Sequence, residues 1–307
     1  RRAGTGPAVA APGGHAVATR LRWPSSLPYS CQHLSLRRIQ MKYFLAVIVL
    51  LTGCSTTPRA PFDYYHVKRV GVVSIMGDKA SYQRLGMTAF GNARGDFDIA
   101  GAGLDALYQK EIEQALSGMD RYEVVHLEYE PNELIARENA KVKRSLGDAL
   151  WQGAHWKLAE QLKEMASQHQ LDAILVMAPV YANTGINVAP YGASVYYGGP
   201  AGKVFWCHVG VYSKISLING KDGFLVRHQI VRRPTSFLEG ANNPMAGSPK
   251  VTRKHNTDSC IIDDNGPSEA QLEDFISVFQ SVITSDYLDH TLNKLMSKPE
   301  SHRIDRQ

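Results

Sequence analysis

Hydrophobic and polar positions alternate with two different periods along this chain. Val67-Lys68-Arg69-Val70-Gly71-Val72-Val73-Ser74-Ile75 is rich in β-branched residues and predicts a buried strand, ended by Gly77-Asp78. Lys79 to Ala102 contains Gly86, Gly91, Gly95 and Gly101 and predicts a long loop. From Gly103 to Ser117 the period becomes helical. Leu104, Leu107, Tyr108, Ile112 and Leu116 share one face, Lys110, Glu111 and Glu113 sit off it, and Gly118 is placed to stop the helix. Tyr122 to Leu127 predicts a second strand, and a polar stretch with Pro131 follows.

Asp148 to Gln168 predicts a second amphipathic helix, with Leu158, Leu162, Met165 and Ala166 inward. Leu171 to Ala178 is a third, central strand. Tyr181 to Lys203, rich in glycine and tyrosine, reads as a loop. The clearest alternation comes next: Phe205, Cys207, Val209, Val211, Ile215 and Leu217 point one way, and Trp206, His208, Tyr212, Lys214 and Ser216 the other. Asn219-Gly220-Lys221-Asp222-Gly223 is a hairpin turn and Phe224 to Val231 the return strand. Residues 232 to 267 read as irregular. Ser268 and Gln271 have capping-box spacing and open a helix with Leu272, Phe275, Ile276, Phe279 and Ile283 inward; a shorter piece continues through Leu292 and Leu295. The order β-α-β-α-β-β-β-α predicts an α/β fold, a single mixed sheet layered with amphipathic helices.

The first forty residues do not belong to that pattern. They hold six arginines and no Lys, Asp or Glu, and show no apolar period. They read as a mis-extended start or a transit peptide, and either way are set apart from the fold. They also distort the charge. The chain has 34 basic and 29 acidic residues; without those six arginines and Lys42 the basic count is 27, and the mature part carries a small negative charge. No nucleic-acid partner is therefore expected.

A second start follows at Met41-Lys42, with an apolar run from Tyr43 to Leu51. Nine residues suit a signal peptide and are too few for a bilayer span, which needs roughly 20. The run ends in Leu51-Thr52-Gly53-Cys54, which resembles the bacterial lipobox: a branched apolar residue, two small ones and the cysteine that receives diacylglycerol. The resemblance implies cleavage before Cys54, lipid on Cys54, and, from Ser55 in the sorting position, transfer to the outer membrane. Three acyl chains, at about 0.8 kcal/mol per buried CH₂, make such an anchor effectively permanent. The expected organisation is a leader over 1–40, a signal peptide over 41–53, a tether over 54–66, one α/β domain over 67–298 and a polar tail over 299–307.

Val70-Gly71-Val72-Val73, Leu171 to Val180 and Val209 to Leu225 follow strand-and-turn patterns similar to those of the curli secretion-channel lipoproteins (CsgG-like) and of the amino-terminal domain of TolB-type periplasmic proteins. Tyr191 to Gly199 sits where the channel proteins insert a Gly- and Tyr-rich hairpin. Two segments depart from the pattern: Lys79 to Ala102 is longer, and Arg232 to Pro267 does not read as the second membrane hairpin. The resemblance implies a periplasmic domain that binds envelope proteins or itself, with an oligomeric secretion channel as the alternative.

The residues themselves offer few sites. Cys207 and Cys260 are the two cysteines of the folded part; they read either as a disulfide in an oxidising compartment or as buried free thiols. His208, His228 and His255 can approach one another around the hairpin, yet no HExxH or CxxC spacing exists and ordinary sheet-face histidines are the simpler reading. Asp258, Asp263 and Asp264 lack EF-hand spacing. Gly77-Asp78, Gly91-Asn92 and Gly95-Asp96 are similar to phosphoesterase loops but lack nearby histidines. No nucleophile elbow or phosphate loop is present, so no catalytic residue, metal or cofactor is expected, and a periplasmic hydrolase stands as a further alternative. Tyr181, Tyr191, Tyr196, Tyr197 and Trp206 form the expected partner surface, set against a loop packed on its own sheet. Pro190 and Pro200 interrupt the arms that a transmembrane hairpin there would need.

Overall fold

The structure is a computed structural model and describes residues 61–86, 92–141, 155–182, 189–198, 204, 206–233, 247–254, 257–263 and 265–298. The leader, the signal peptide, the lipobox with Cys54 and Ser55, and the tail over 299–307 lie outside the described residues. Phe62 and Tyr64 already pack against the core.

Nine strands form one mixed sheet with five α-helices among the described residues. In chain order they are β1 (Arg69–Ser74), β2 (Lys79–Leu85), β3 (Ala93–Asp98), α1 (Leu104–Ser117), β4 (Glu123–Val125), α2 (Pro131–Asn139), α3 (Ala159–Gln168), β5 (Ala173–Pro179), β6 (Gly192–Gly198), β7 (Trp206–Asn219), β8 (Leu225–Ile230), β9 (Lys250–Arg253), α4 (Glu269–Ser281) and α5 (Ser285–Met296). The α/β mixed-sheet class expected from the sequence is what the chain adopts.

The long strand β7 is the spine. Its amino-terminal half pairs with β6 and β9, and its carboxyl-terminal half with β5 and β8. The carbonyl of Tyr212 accepts from the Val180 N–H, whereas the Ser213 carbonyl accepts from Val231 and the Val211 N–H donates to Pro249. Successive strand residues face opposite edges. So β5 and β6 lie end to end along one edge of β7, and β8 and β9 along the other. The same succession recurs one place further out: β1 runs parallel to β5, and β2 parallel to β6. The sheet therefore has a waist at the level of Pro179 and Ser213, where every neighbour of β7 is interrupted.

Both faces are covered near the spine. On one face Val70, Val72, Leu175, Met177, Val195, Val209, Val211 and Leu217 meet α1, α4 and α5, which contribute Tyr108, Ile112, Phe275, Phe279, Leu292 and Leu295. Burying each phenylalanine there is worth about 1.5–3 kcal/mol. On the other face Val73, Ile174, Val176 and Ile218 meet Leu134 of α2 and Leu158, Leu162 and Ala166 beside or in α3. The capping box at α4 is formed in both directions: the Gln271 N–H donates to Ser268 Oγ, and the Ser268 N–H donates to Gln271 Oε1 at 2.8 Å.

Four expectations are corrected. Lys79 to Ala102 is not a loop: β2 and β3 occupy much of it as an antiparallel pair. Tyr181 to Lys203 is not a loop throughout, because Gly192–Gly198 is an interior strand between β2 and β7. The polar stretch at Pro131 is helix α2, with proline in its first turn, where a missing N–H costs nothing. The irregular stretch contains β9 and a 3-10 turn at Thr257–Cys260.

Candidate functional site

β1 and β5 run parallel and end side by side at the waist. The carboxyl ends of parallel strands are where open α/β sheets leave a crevice. A cavity of about 680 Å³ lies there, between the turn after β1, helix α2, the end of β5 and the centre of β7.

Asp105, in the first turn of α1, holds the lip of this cavity. Its buried carboxylate accepts from Ser74 Oγ at 2.6 Å, from the Met76 N–H at 2.6 Å and from the Gly77 N–H at 3.1 Å. Gly77 has φ +80°, a left-handed turn that other residues enter with strain. Tyr129 covers the edge of β1 that β4 leaves open: its hydroxyl accepts from the Ser74 N–H and donates to the Ser74 carbonyl.

His155 forms the floor. It is 3 % exposed and has φ +62°, a strained value for a residue with a Cβ. Its Nε2 lies 3.1 Å from Ser216 Oγ, and its Nδ1 lies 3.4 Å from Glu138 Oε1. The second distance is an electrostatic contact, longer than a hydrogen bond. His155 Nδ1 and Glu138 Oε2 are both buried atoms without a hydrogen-bond partner. Burial raises the Glu138 carboxyl, but His155, then Lys157 and Lys214, outweigh it and hold the group below its ordinary range. Glu138 is positioned by the last turn of α2, whose Glu138 and Ala140 carbonyls accept from Lys157 Nζ.

Lys214 lines the same space from β7, two residues from Ser216 and on the same strand face. Burial lowers its ammonium, and Glu138 partly offsets the effect. Among the described residues Lys214 makes no ion pair within 4 Å. Asp78 and Asp96 also line the cavity, so two of the three Gly-Asx pairs noted in the sequence converge on it. Gly91 lies outside the described residues, and Asn92 accepts from the Gly86 N–H instead.

Ser216, His155 and Glu138 thus form a hydroxyl–imidazole–carboxylate chain. Ser216 is fully buried beneath His155, out of reach of a substrate. In this position the chain fixes the imidazole ring.

The expected aromatic surface divides in three. Tyr181 and Tyr191 face each other with ring centroids 4.5 Å apart at the cavity rim, 67 % and 38 % exposed. Tyr196 and Trp206 pack at 4.9 Å on the half of the sheet built around the amino-terminal part of β7, its upper half. Tyr197 points to the opposite, helix-covered face and is buried, its hydroxyl near the Ile262 carbonyl. Alternation along β6 separates Tyr196 from Tyr197, and reading the segment as a loop hides that.

Cys207 and Cys260 are joined, with Cα atoms 6.3 Å apart. His208 and His228 are not neighbours: His208 pairs with Tyr196 and Thr252 in the upper half, and His228 with Ser216 in the lower. His255, Asp264 and the side chain of Asp258 lie outside the described residues. Among the described residues no group of three His, Cys, Asp or Glu side chains is placed to hold a metal. A second groove of about 830 Å³ runs between α1 and α5, past Glu111, Arg121, Tyr122 and Asp289. None of the unpartnered buried polar atoms of the described residues lines it, so the waist cavity is the stronger site.

No family model matches the sequence, and no curated protein matches it. Solved structures similar to it at low scores include two bacterial proteins. Lipoprotein GNA1162 from Neisseria meningitidis is 10 % identical, with 68 % of this chain and 93 % of that one covered at a TM-score of 0.24. Protein XCC0632 from Xanthomonas campestris (DUF330) is 9 % identical, with 78 % and 90 % covered at a TM-score of 0.29.

Proposed function

We propose that this chain is an exported lipoprotein of the bacterial cell envelope, anchored through Cys54 and working as a non-enzymatic binding and assembly module. The observation that carries the binding role is the exposed Tyr181–Tyr191 pair at the rim of a polar cavity. Tyrosine offers large contact area at small conformational cost and is favoured where partners dock. Two features support export. The Leu51-Thr52-Gly53-Cys54 motif suits lipid attachment, and a buried Cys207–Cys260 disulfide suits an oxidising compartment. No helix among the described residues is long and apolar enough to cross a membrane. Ser55 supports the outer membrane as the destination. The CsgG-like and TolB-like strand patterns support partners in the envelope, or a second copy.

A photoactivatable residue at position 181, beside a control at the exposed Lys110 on α1, tests the binding role in whole cells. A discrete adduct with an envelope protein from position 181 alone is expected. Adducts from neither position, or equally from both, contradict it.

A periplasmic hydrolase is the second reading: the Ser216–His155–Glu138 chain has the residue types of a hydrolase triad, although its hydroxyl is buried and its imidazole–carboxylate contact is 3.4 Å long. A fluorophosphonate probe separates the two. Labelling at Ser216 establishes a hydrolase, and an unlabelled Ser216 agrees with its burial.

A further inference from the structure

We infer that the waist cavity binds a saccharide that carries a carboxylate. The inference rests on the reading that this end of the sheet is a binding surface, and it names the chemistry of what enters.

Three unsatisfied groups converge on one space. His155 Nδ1 belongs to a side chain more than nine-tenths buried and has no hydrogen-bond partner. Glu138 Oε2 is likewise unpartnered, and the two residues touch through Oε1. An imidazole nitrogen beside a free carboxylate oxygen suits a hydroxyl, which accepts from the first and donates to the second. Leaving either group buried and unpaired costs free energy that an occupant satisfying both would recover. Lys214 adds an ammonium without an ion-pair partner among the described residues, on the same side of the sheet. Glu138 attracts that ammonium without an ion pair within 4 Å, and an anion on the same molecule would pair with it directly.

The rim narrows the class. Tyr191 lines the cavity and packs against Tyr181 with the rings tilted by 41°, and both residues are exposed. The negative face of a phenol ring attracts the C–H-bearing face of a pyranose, whose hydroxyls point outward to polar groups. Asp78, Asp96 and Asn132 supply such groups around the opening. A cavity of about 680 Å³ admits one or two sugar rings. A free amino acid or inorganic anion would meet Lys214 but leave the tyrosines without a function. A divalent cation lacks the ligand cluster among the described residues.

Titration calorimetry on the full lipidated chain in detergent tests this, with N-acetylmuramic acid and glucuronic acid as carboxylate sugars, N-acetylglucosamine as the neutral sugar and alanyl-alanine as the zwitterion. Saturable binding of at least one carboxylate sugar is expected, about tenfold or more tighter than the neutral one. Lys214→Met should abolish that preference, Lys214→Arg should keep it, and Glu138→Gln should weaken both sugars. Tyr191→Ala, at a rim position, should weaken both sugars too and serves if the Lys214 variants lose their melting transition. No binding of either carboxylate sugar, equal binding of acid and neutral sugars, tighter binding of the dipeptide, or an unchanged acid preference in Lys214→Met overturns the inference. An adduct from position 181 alongside any of these failures leaves the binding-module reading standing and removes only the saccharide.

Discussion

Cys207, on the helix-covered face of β7, is bonded to Cys260 in the 3-10 turn that follows β9. The bond fastens a segment with little regular structure to the spine of the sheet. It closes a loop with a sequence separation of 53 residues. Constraining a loop of that size in the unfolded chain contributes about 2–4 kcal/mol. Cys207→Ser and Cys260→Ser should each lower stability by that amount in denaturant unfolding, and the double variant by no more than the worse single. Additive losses would mean that the cysteines act separately.

Asp105 should be among the most sensitive polar positions. Its carboxylate serves Ser74, Met76 and Gly77 at once, and hydrogen bonds to a charged group are worth about 1.5–3 kcal/mol each. Asp105→Ala should cost about 3 kcal/mol or more and Asp105→Asn less, read as a lower urea midpoint at constant slope. It should also loosen the lip of the cavity. A midpoint within experimental error of wild type in Asp105→Ala would show that the turn after β1 holds itself.

Gly223 closes the β7–β8 turn at φ +71°, and a Cβ there would lie 2.1 Å from the Ala159 carbonyl oxygen. Neither backbone can yield cheaply. Gly223→Ala should cost about 2 kcal/mol or more, by strain and by pushing α3 away. Gly101 meets nothing within 4 Å, so Gly101→Ala should change stability by less than about 1 kcal/mol. Thermal unfolding of the two variants side by side checks the contrast, and equal melting temperatures would contradict it.

His208 should make the fold sensitive to mild acid. Its ring packs beside those of Trp206 and Tyr196, with centroids 5.1 and 6.2 Å away, and meets Thr252 Oγ1 at 2.9 Å. Burial, then Lys250, lowers its pKa from 6.5 to about 4. Between those values the unfolded chain takes up a proton that the native chain refuses. The stability is therefore complete above about pH 6.5 and is lost as pH falls toward 4. Solvent screening of a partly exposed ring limits the loss to about 1–2 kcal/mol. Urea unfolding at pH 7 and pH 4.5 should show a smaller drop for His208→Gln than for wild type. Equal drops would place the acid sensitivity elsewhere.

The elements legible in the sequence are those whose periodicity matches their burial. β1, α1, β5, β7 and α4 each carry an apolar pattern wide enough to identify alone, and β7 alternates along most of its length. The rest were hidden for particular reasons. β3 is an outer strand with Arg94, Asp96 and Asp98, charges that protect an edge and mimic a loop. β6 holds a Val195-Tyr196-Tyr197 run, but Gly192, Ala193, Ser194 and Gly198 flank it, and those small residues read as a turn. α2 is short and buries only Leu134. The cavity was illegible because Glu138, His155 and Lys214 come from three separate segments, and only the waist of the sheet brings them together. Strained His155 gives no local signal, since nothing in its sequence neighbourhood demands a left-handed turn.

The proposed envelope role depends on lipid at Cys54, which can be measured directly. Cells expressing the chain from Met41, wild type beside Cys54→Ala, are fed a tagged fatty acid, and their membranes are separated by density. Label on the wild type alone, in the outer-membrane fraction, is the expected result. No label, or equal label on both, would contradict the anchor and with it the envelope role.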